Sequence, residues 1–142
     1  MSFWTHDRLT RALGDELVGA RPSGSRPLGR VATDTRTLAP DDVFVALIGE
    51  RFDGHDFLAQ AVARGARAVV VSDAARAAGL GVPAFVVADT TRALGALGAY
   101  RRRAWGGQVV AVAGSNGKTS TKELIAAALS AGFAVHATRG NL

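Results

Sequence analysis

Residues 109–121, which read VVAVAGSNGKTST, constrain the fold more than any other stretch of the chain. An apolar run stops at Gly114, small polar residues follow, and Lys118 opens a segment whose apolar residues recur at helical spacing. The order predicts a buried strand over Gln108–Ala113, a tight turn and a helix that begins at Lys118, which is the start of a βαβ unit. Because a helix start presents unpaired N–H groups and the positive end of the helix dipole, the turn is a candidate anion site.

The residue types of this turn favour phosphate over other anions. Glycines let the backbone curl around phosphate oxygens, a lysine can reach the terminal phosphates, and a threonine hydroxyl can hold Mg²⁺. The general pattern G-x-x-x-x-G-K-[ST] requires glycine where Val112 stands, so only G-x-x-G-K-T is present. The competing interpretation is a glycine-rich turn with an exposed lysine. The predicted phosphate-binding residues are Gly114, Ser115, Asn116, Gly117, Lys118, Thr119 and Ser120.

The distribution of charge points to the same place. Of the 17 basic residues, set against 12 acidic ones, the only two lysines are Lys118 and Lys122, beside the turn. A lysine ammonium is compact, whereas the arginine guanidinium is a broad planar fork, so lysine suits a narrow phosphate pocket. The single basic run, Arg101–Arg103, is shorter than the blocks that mark nucleic-acid tails and is interpreted as a solvated helix end. We expect no nucleic-acid partner.

Composition excludes several classes of protein. With 142 residues and 48% hydrophobic content the chain can bury a core, and the absence of cysteine excludes disulfides and thiolate metal sites. No apolar stretch approaches the roughly 18 residues that span a bilayer, and the first residues lack the pattern of a signal peptide. We therefore expect a cytoplasmic protein, without membrane insertion.

The rest of the chain predicts an α/β fold with a largely parallel sheet, because strands alternate with helices. A helix break at Ala104–Gly107 places a domain boundary there, giving domains 1–104 and 105–142. One βαβ unit is too small for a core of its own, so the second domain is expected to be truncated. The predicted strands are Val31–Thr33, Val43–Leu47, Ala68–Val71 and Ala84–Val87. The predicted helices cover 3–18, Asp56–Arg64 with Asp56 as N-cap, 73–79, and Asp89 or Thr90 to Arg103.

The stretch AGSNGKTSTKE resembles the ATP loop of the Mur ligases, ATP-dependent amide-forming enzymes of peptidoglycan precursor synthesis. The loop of that family is the short form T-G-[ST]-x-G-K-[ST], so Val112 agrees with it, while Ala113 replaces the usual threonine. Residues 33–57, TDTRTLAPDDVFVALIGERFDGHDF, and the Lys122-Glu123 pair are similar to one branch of the family. That branch joins D-alanyl-D-alanine to UDP-N-acetylmuramoyl-tripeptide, whereas another branch adds the third amino acid. The final T-R-G-N, residues 138–141, resembles the family's T-x-G-N.

The resemblance implies a mixed α/β domain for the UDP-muramoyl-peptide over 1–104 and the first βαβ unit of a P-loop ATP-binding domain over 105–142. The implied reaction has two steps: a substrate carboxylate attacks the γ-phosphate of ATP, and the amine of D-alanyl-D-alanine then displaces phosphate from the acyl phosphate. Lys118 would stabilise the transferring phosphoryl group and Thr119 would bind Mg²⁺. The chain alone is expected to be a monomer, to lack ligase activity and to bind Mg-ATP weakly.

The same resemblance places the uridine diphosphate end of the substrate on Thr35 and, more loosely, on Glu50, Arg51 and Phe52, and it places Asn141 near substrate or metal. Some of these residues, and the nearby His55, also have an ordinary structural explanation. Asp34-Thr35 can close a turn, Phe52 can belong to the core, and His55 at a helix start can bond a neighbouring backbone group. Two other functions stay open: another amide ligase of the superfamily, such as folylpolyglutamate or cyanophycin synthetase, and a stand-alone nucleotide-binding or regulatory module.

Overall fold

The computed structural model describes residues 2–138, which form two compact units. Unit 1 spans Met1–Gly106 and unit 2 spans Gly107–Leu142. The division falls two residues after the boundary that the helix break indicates. The assignment of the two parts to a UDP-peptide domain and an ATP-binding domain stays a prediction.

Unit 1 contains a parallel sheet of four strands, as the alternation of strands and helices predicted. The strands lie in chain order, β3-β4-β5-β6, and a separate antiparallel pair joins β1 to β2. The strands are β1 (Trp4–Thr5), β2 (Pro27–Leu28), β3 (Val31–Ala32), β4 (Val43–Val45), β5 (Ala68–Val71) and β6 (Ala84–Val86). The helices are α1 (His6–Leu13), α2 (Leu58–Ala63), α3 (Ala74–Ala77) and α4 (Thr90–Trp105), with 3-10 turns at Gly14–Glu16, Thr35–Thr37 and Gly54–Phe57.

Helices cover both faces of the sheet, because successive side chains of a strand point to opposite sides. Within β4, Val43 and Val45 belong to one buried cluster and Phe44 to the other. The first cluster includes residues of α1 and α4, and the second includes residues of α2 and α3. The two central strands, β4 and β5, are therefore buried on both sides. Because the four strands are parallel, their carboxyl ends meet at one edge of the sheet.

Two predicted helices begin differently in the structure. The helix predicted over 3–18 is shorter: β1 precedes it, and α1 begins at His6 and ends at Leu13. Its C-cap is Gly14, whose φ of 49° favours glycine. The prediction of Asp56 as N-cap is wrong: Asp53 accepts the N–H of His55, and Asp56 lies inside the 3-10 turn. Helical winding starts three residues earlier than predicted, since the 3-10 turn precedes α2, which begins at Leu58.

Unit 2 contains the predicted helix from Lys118, here α5 (Lys118–Ser130). The strand predicted over Gln108–Ala113 is not formed, and Val109 and Val110 are exposed. A strand depends on ladder hydrogen bonds with a neighbour, and no segment of residues 2–138 pairs with these residues. The side chain of Leu124 in α5 is exposed as well.

Candidate functional site

The turn before α5 has the backbone geometry of an anion cradle. Gly114 and Gly117 have φ angles of 151° and 74°, which residues with a Cβ rarely adopt. Gly117 is the N-cap of α5, and no side chain caps the helix start. A Cβ built at Gly117 meets nothing within 4 Å, so the space beside the turn is open. The residues present therefore fit a bound phosphate group.

Lys118 folds over this turn. Its Nζ donates a hydrogen bond to the carbonyl oxygen of Gly114 at 2.6 Å. The ammonium thus lies beside the turn rather than pointing away along the helix. Ser115 and Asn116 are exposed in the turn, and Thr119 and Ser120 follow Lys118 in the first turn of α5. The structure brings all seven predicted loop residues together, while their roles stay predictions, and Asn141 lies outside the described residues.

In unit 1, the carboxyl edge of the sheet carries a second group of polar residues. A cavity of about 250 Å³ opens there, and the residues that line it are Ile48, Ser72, Ala88, Asp89, Thr90 and Thr91. Asp89 accepts the N–H groups of Thr91 and Arg92 at 2.7 and 3.0 Å, so a carboxylate already occupies the positive end of α4. Repulsion between this carboxylate and a phosphate argues against an anion site at α4. The sequence analysis did not single out Ser72, which directly follows β5, or Thr91, which lies two residues after the N-cap Asp89.

Residues 47–54 form a short turn that projects from the end of β4, and we name it the edge hairpin. Gly54 N–H donates to Leu47 O at 2.7 Å, and Gly49 N–H donates to Phe52 O at 2.9 Å. The side chain of Phe52 is 72% exposed, so the interpretation of Phe52 as a core residue is wrong. Glu50 and Arg51 are exposed beside it. The edge hairpin thus presents an aromatic ring and a guanidinium to solvent.

Thr35 has a different setting. It is buried, its hydroxyl donates to Gln60 Oε1 at 2.8 Å, and its carbonyl oxygen accepts from Arg64 at 3.2 Å. Asp34 closes the turn as the structural explanation predicted, because its carboxylate accepts the N–H of Arg36. The hydroxyl of Thr35 keeps only acceptor capacity for a ligand.

His55 fastens the base of the edge hairpin to β5. Its ring is buried, with 1% of the side chain exposed, and Nδ1 lies 2.6 Å from Asp53 Oδ1. Its Nε2 accepts the backbone N–H of Ser72 at 3.0 Å, so the ring proton belongs on Nδ1 and points to Asp53. His55 does bond a backbone group, but the prediction of a neighbouring one is wrong, because the N–H of Ser72 lies 17 residues away.

Asp53 also binds Arg76. Arg76 Nη1 lies 2.7 Å from Asp53 Oδ2, and its Nη2 contacts Asp56. The backbone N–H of His55, followed by the His55 ring, holds the pKa of Asp53 below its usual value, with a smaller contribution from Arg76. The carboxylate of Asp53 is therefore ionised at neutral pH and joins three donor groups.

A second carboxylate gives unit 1 an acid-sensitive contact. The side-chain hydrogen bonds of Arg36 lower the pKa of Asp34 from 3.8 to about 2. A lowered folded-state pKa contributes stability that is present above about pH 4 and lost as the pH falls through about 2. We expect Asp34→Asn to lose slightly less stability than the wild type when the pH falls from about 4 to about 2. The difference should be small because both partners of the ion pair are exposed. Denaturant midpoints at both ends of the window measure it. The control is Asp15→Asn, which removes an exposed carboxylate without an ion pair among the described residues; equal effects of the two substitutions would contradict the expectation.

Metal binding by protein carboxylates alone has no support in the described part of the chain. Among residues 2–138, no group of three or more His, Asp or Glu side chains could hold a metal ion. Mg²⁺ is commonly held by one or two protein groups together with substrate phosphates and water, which is compatible with Thr119 as a partner. None of the helices within residues 2–138 combines the length and the apolar character of a membrane span.

Comparison with known proteins gives consistent matches. The model of the Mur ligase family, catalytic domain, matches residues 28–140. The chain is 47% identical over 138 residues to the UDP-N-acetylmuramoyl-tripeptide--D-alanyl-D-alanine ligase of Escherichia coli (strain K12), covering 97% of this chain and 29% of that protein. A crystal structure of MurF from Acinetobacter baumannii matches with a TM-score of 0.78 and 40% identity, over 90% of this chain and 28% of that one.

A MurF ligase from Thermotoga maritima, solved in complex with ADP, matches with a TM-score of 0.68 and 35% identity, over 80% of this chain and 26% of that one. The chain thus spans less than a third of the length of these relatives. The family model covers most of the chain and both units. The chain belongs to the Mur ligase family.

Proposed function

We propose that the chain provides the UDP-peptide-binding and phosphate-binding parts of an ATP-dependent ligase that joins D-alanyl-D-alanine to UDP-N-acetylmuramoyl-tripeptide. The Escherichia coli relative carries that name and shares 47% of the compared residues. The observation that carries the proposal is the glycine cradle before α5 with Lys118 folded over it. Residues 1–104 would hold the UDP-peptide, and residues 105–142 would begin the ATP-binding domain.

The cradle would act on the γ-phosphate of ATP. When a substrate carboxylate attacks that phosphorus, negative charge spreads over the transferring oxygens, and fixed N–H donors and an ammonium stabilise it. Lys118 already sits beside the cradle, where it would exchange the carbonyl of Gly114 for a phosphate oxygen. Bound Mg²⁺ would neutralise further charge on the phosphates, with Thr119 as its protein partner. The amine of D-alanyl-D-alanine then forms the amide and releases phosphate.

The edge hairpin would hold the uridine diphosphate end. Arg51 forms no ion pair among the described residues and can bind a pyrophosphate, and the exposed ring of Phe52 can stack on a base. Glu50 is adjacent and can accept hydrogen bonds from the sugar. Thr35 would contribute through its acceptor lone pairs or by keeping Gln60 and Arg64 in place.

A hybrid ligase tests the proposal. This chain replaces the matching residues of the Escherichia coli relative, and the hybrid receives ATP, UDP-N-acetylmuramoyl-tripeptide and D-alanyl-D-alanine. We expect the amide product, identified by mass spectrometry, together with an equal amount of ADP, because the cradle and the edge hairpin supply what the replaced part supplied. The control is the unaltered relative under the same conditions.

The hybrid must first show a cooperative unfolding transition, which separates loss of folding from loss of chemistry. A folded hybrid that makes no amide while the unaltered relative does would contradict the proposed function. ATP consumption without the D-alanyl-D-alanine product, or a product with another amine only, would favour a different amide ligase of the superfamily.

A further inference from the structure

A chain of hydrogen bonds anchors the base of the edge hairpin at two points, and the proposed chemistry of unit 1 makes no use of it. From the geometry we infer that Asp53, His55 and Arg76 are positioning residues for the substrate. They fix the edge hairpin so that Arg51 and Phe52 meet the uridine diphosphate. This inference rests on the proposed function and adds residues that touch no substrate themselves.

The first anchor is buried. Ile48 and Asp53 form an isolated antiparallel bridge that closes the edge hairpin, and His55 follows two residues later. The ring of His55 bonds Asp53 through Nδ1 and the backbone N–H of Ser72 through Nε2. Because Ser72 directly follows β5, the ring connects the hairpin to the end of a central strand of the sheet.

The second anchor is at the surface. Arg76 lies in α3, which packs over the opposite face of the sheet from α4, and its guanidinium bonds Asp53 and Asp56. Asp53 precedes Gly54 and Asp56 follows it, so the side chain of Arg76 binds the chain on both sides of Gly54. The two anchors restrain the hairpin base in different directions, one toward β5 and one toward α3.

The restraint matters because the tip is exposed. The hydrogen bonds Gly49–Phe52 and Gly54–Leu47 shape the hairpin internally and do not fix it relative to the rest of unit 1. A loop that is held in its binding pose loses less conformational entropy when a ligand binds. Loosening either anchor should therefore weaken substrate binding without removing any group that contacts the substrate.

Isothermal titration of the 142-residue chain with UDP-N-acetylmuramoyl-tripeptide measures this effect. We expect Arg76→Ala to weaken binding by about tenfold, while the denaturant midpoint stays near that of the wild type because its ion pairs are exposed. The matched control is Arg67→Ala, which breaks the exposed ion pair with Asp41. It should leave the affinity unchanged.

Two variants of His55 test whether substrate binding depends on the buried hydrogen bonds of its ring or only on the packing of the side chain. His55→Asn can keep a donor near Nδ1 and loses the acceptor for Ser72, whereas His55→Gln can keep that acceptor and loses the donor to Asp53. We expect both to weaken binding when the titration is done at a temperature at which each variant is fully folded. Faster hydrogen exchange of the Gly54 amide in the same variants would show that the hairpin base has loosened.

The outcomes separate the two proposals. If the wild-type chain binds the substrate, and Arg76→Ala and both His55 variants bind it equally well, the positioning role is wrong while the proposed function stands. If the wild-type chain does not bind the substrate or UDP, the proposed role of unit 1 fails, and the positioning role fails with it. Weaker binding by Arg67→Ala equal to that of Arg76→Ala would also overturn the inference, because it would reflect lost positive charge.

Discussion

Lys118→Ala in the hybrid ligase is expected to lower kcat by about 100- to 1,000-fold, corresponding to about 3–4 kcal/mol of transition-state stabilisation. The ammonium of Lys118 lies beside the glycine cradle, where it would face the transferring phosphoryl group. Its loss removes one of the groups that would stabilise the developing charge, so kcat should fall more than the affinity for ATP. Steady-state kinetics with saturating ATP measure the change.

Two further variants show whether the effect depends on position and shape. Lys122→Ala removes the other lysine, which lies one helical turn after Lys118. Its Nζ donates to Thr138 O and pairs with Glu123, so this substitution should change kcat only slightly. Lys118→Arg should stay well below wild type because the planar guanidinium does not replace a compact ammonium in a narrow cradle. If Lys118→Ala turned over at the wild-type rate, Lys118 would have no part in phosphoryl transfer.

Gly54→Ala should destabilise unit 1 by about 1–3 kcal/mol. A Cβ at this position would lie 2.7 Å from Leu47 N and 2.8 Å from two backbone atoms of Ala46. Backbone atoms cannot rotate away as a side chain can, so the edge hairpin or the end of β4 must shift. Denaturant unfolding measures the loss of stability, and titration with the UDP-peptide should show weaker binding as well.

Gly95→Ala is the matched control, with an effect of opposite sign. Gly95 is exposed within α4, and a Cβ there meets nothing within 4 Å. Alanine in a helix interior is favoured over glycine by about 0.5–1 kcal/mol, so this variant should be more stable than the wild type. If Gly54→Ala were as stable as Gly95→Ala, the backbone around Gly54 would accommodate the added methyl group without loss of stability, and the prediction would be wrong.

Local signals in the sequence predicted much of unit 1. The apolar runs of β4 and β5 are bounded by turn residues, and Asp89 stands directly before a helical pattern, so these elements are predicted near their observed bounds. The glycine turn and the helix from Lys118 follow from the same kind of short-range pattern. Each of these signals depends on residues within one turn or one strand of each other.

Features that depend on distant residues were not predictable in this way. Asp53 and Asp56 are equally good N-cap residues by type, and residue type alone does not show that the 3-10 turn is capped by Asp53. The partner of Thr35, Gln60, lies 25 residues away in sequence. The strand expected over Gln108–Ala113 has an apolar pattern, yet pattern alone does not supply the neighbouring ladder that a strand requires.

The many bonds of Asp53 have a consequence for sequence exchange between relatives. The carboxylate of Asp53 accepts hydrogen bonds from the backbone of His55, from its ring and from the guanidinium of Arg76. The effects of replacing Asp53, His55 and Arg76 on stability should therefore be strongly non-additive. An engineer who grafts the edge hairpin from another ligase would therefore move all three residues as one block. Piecemeal grafts would pass through intermediates that are worse than either parent.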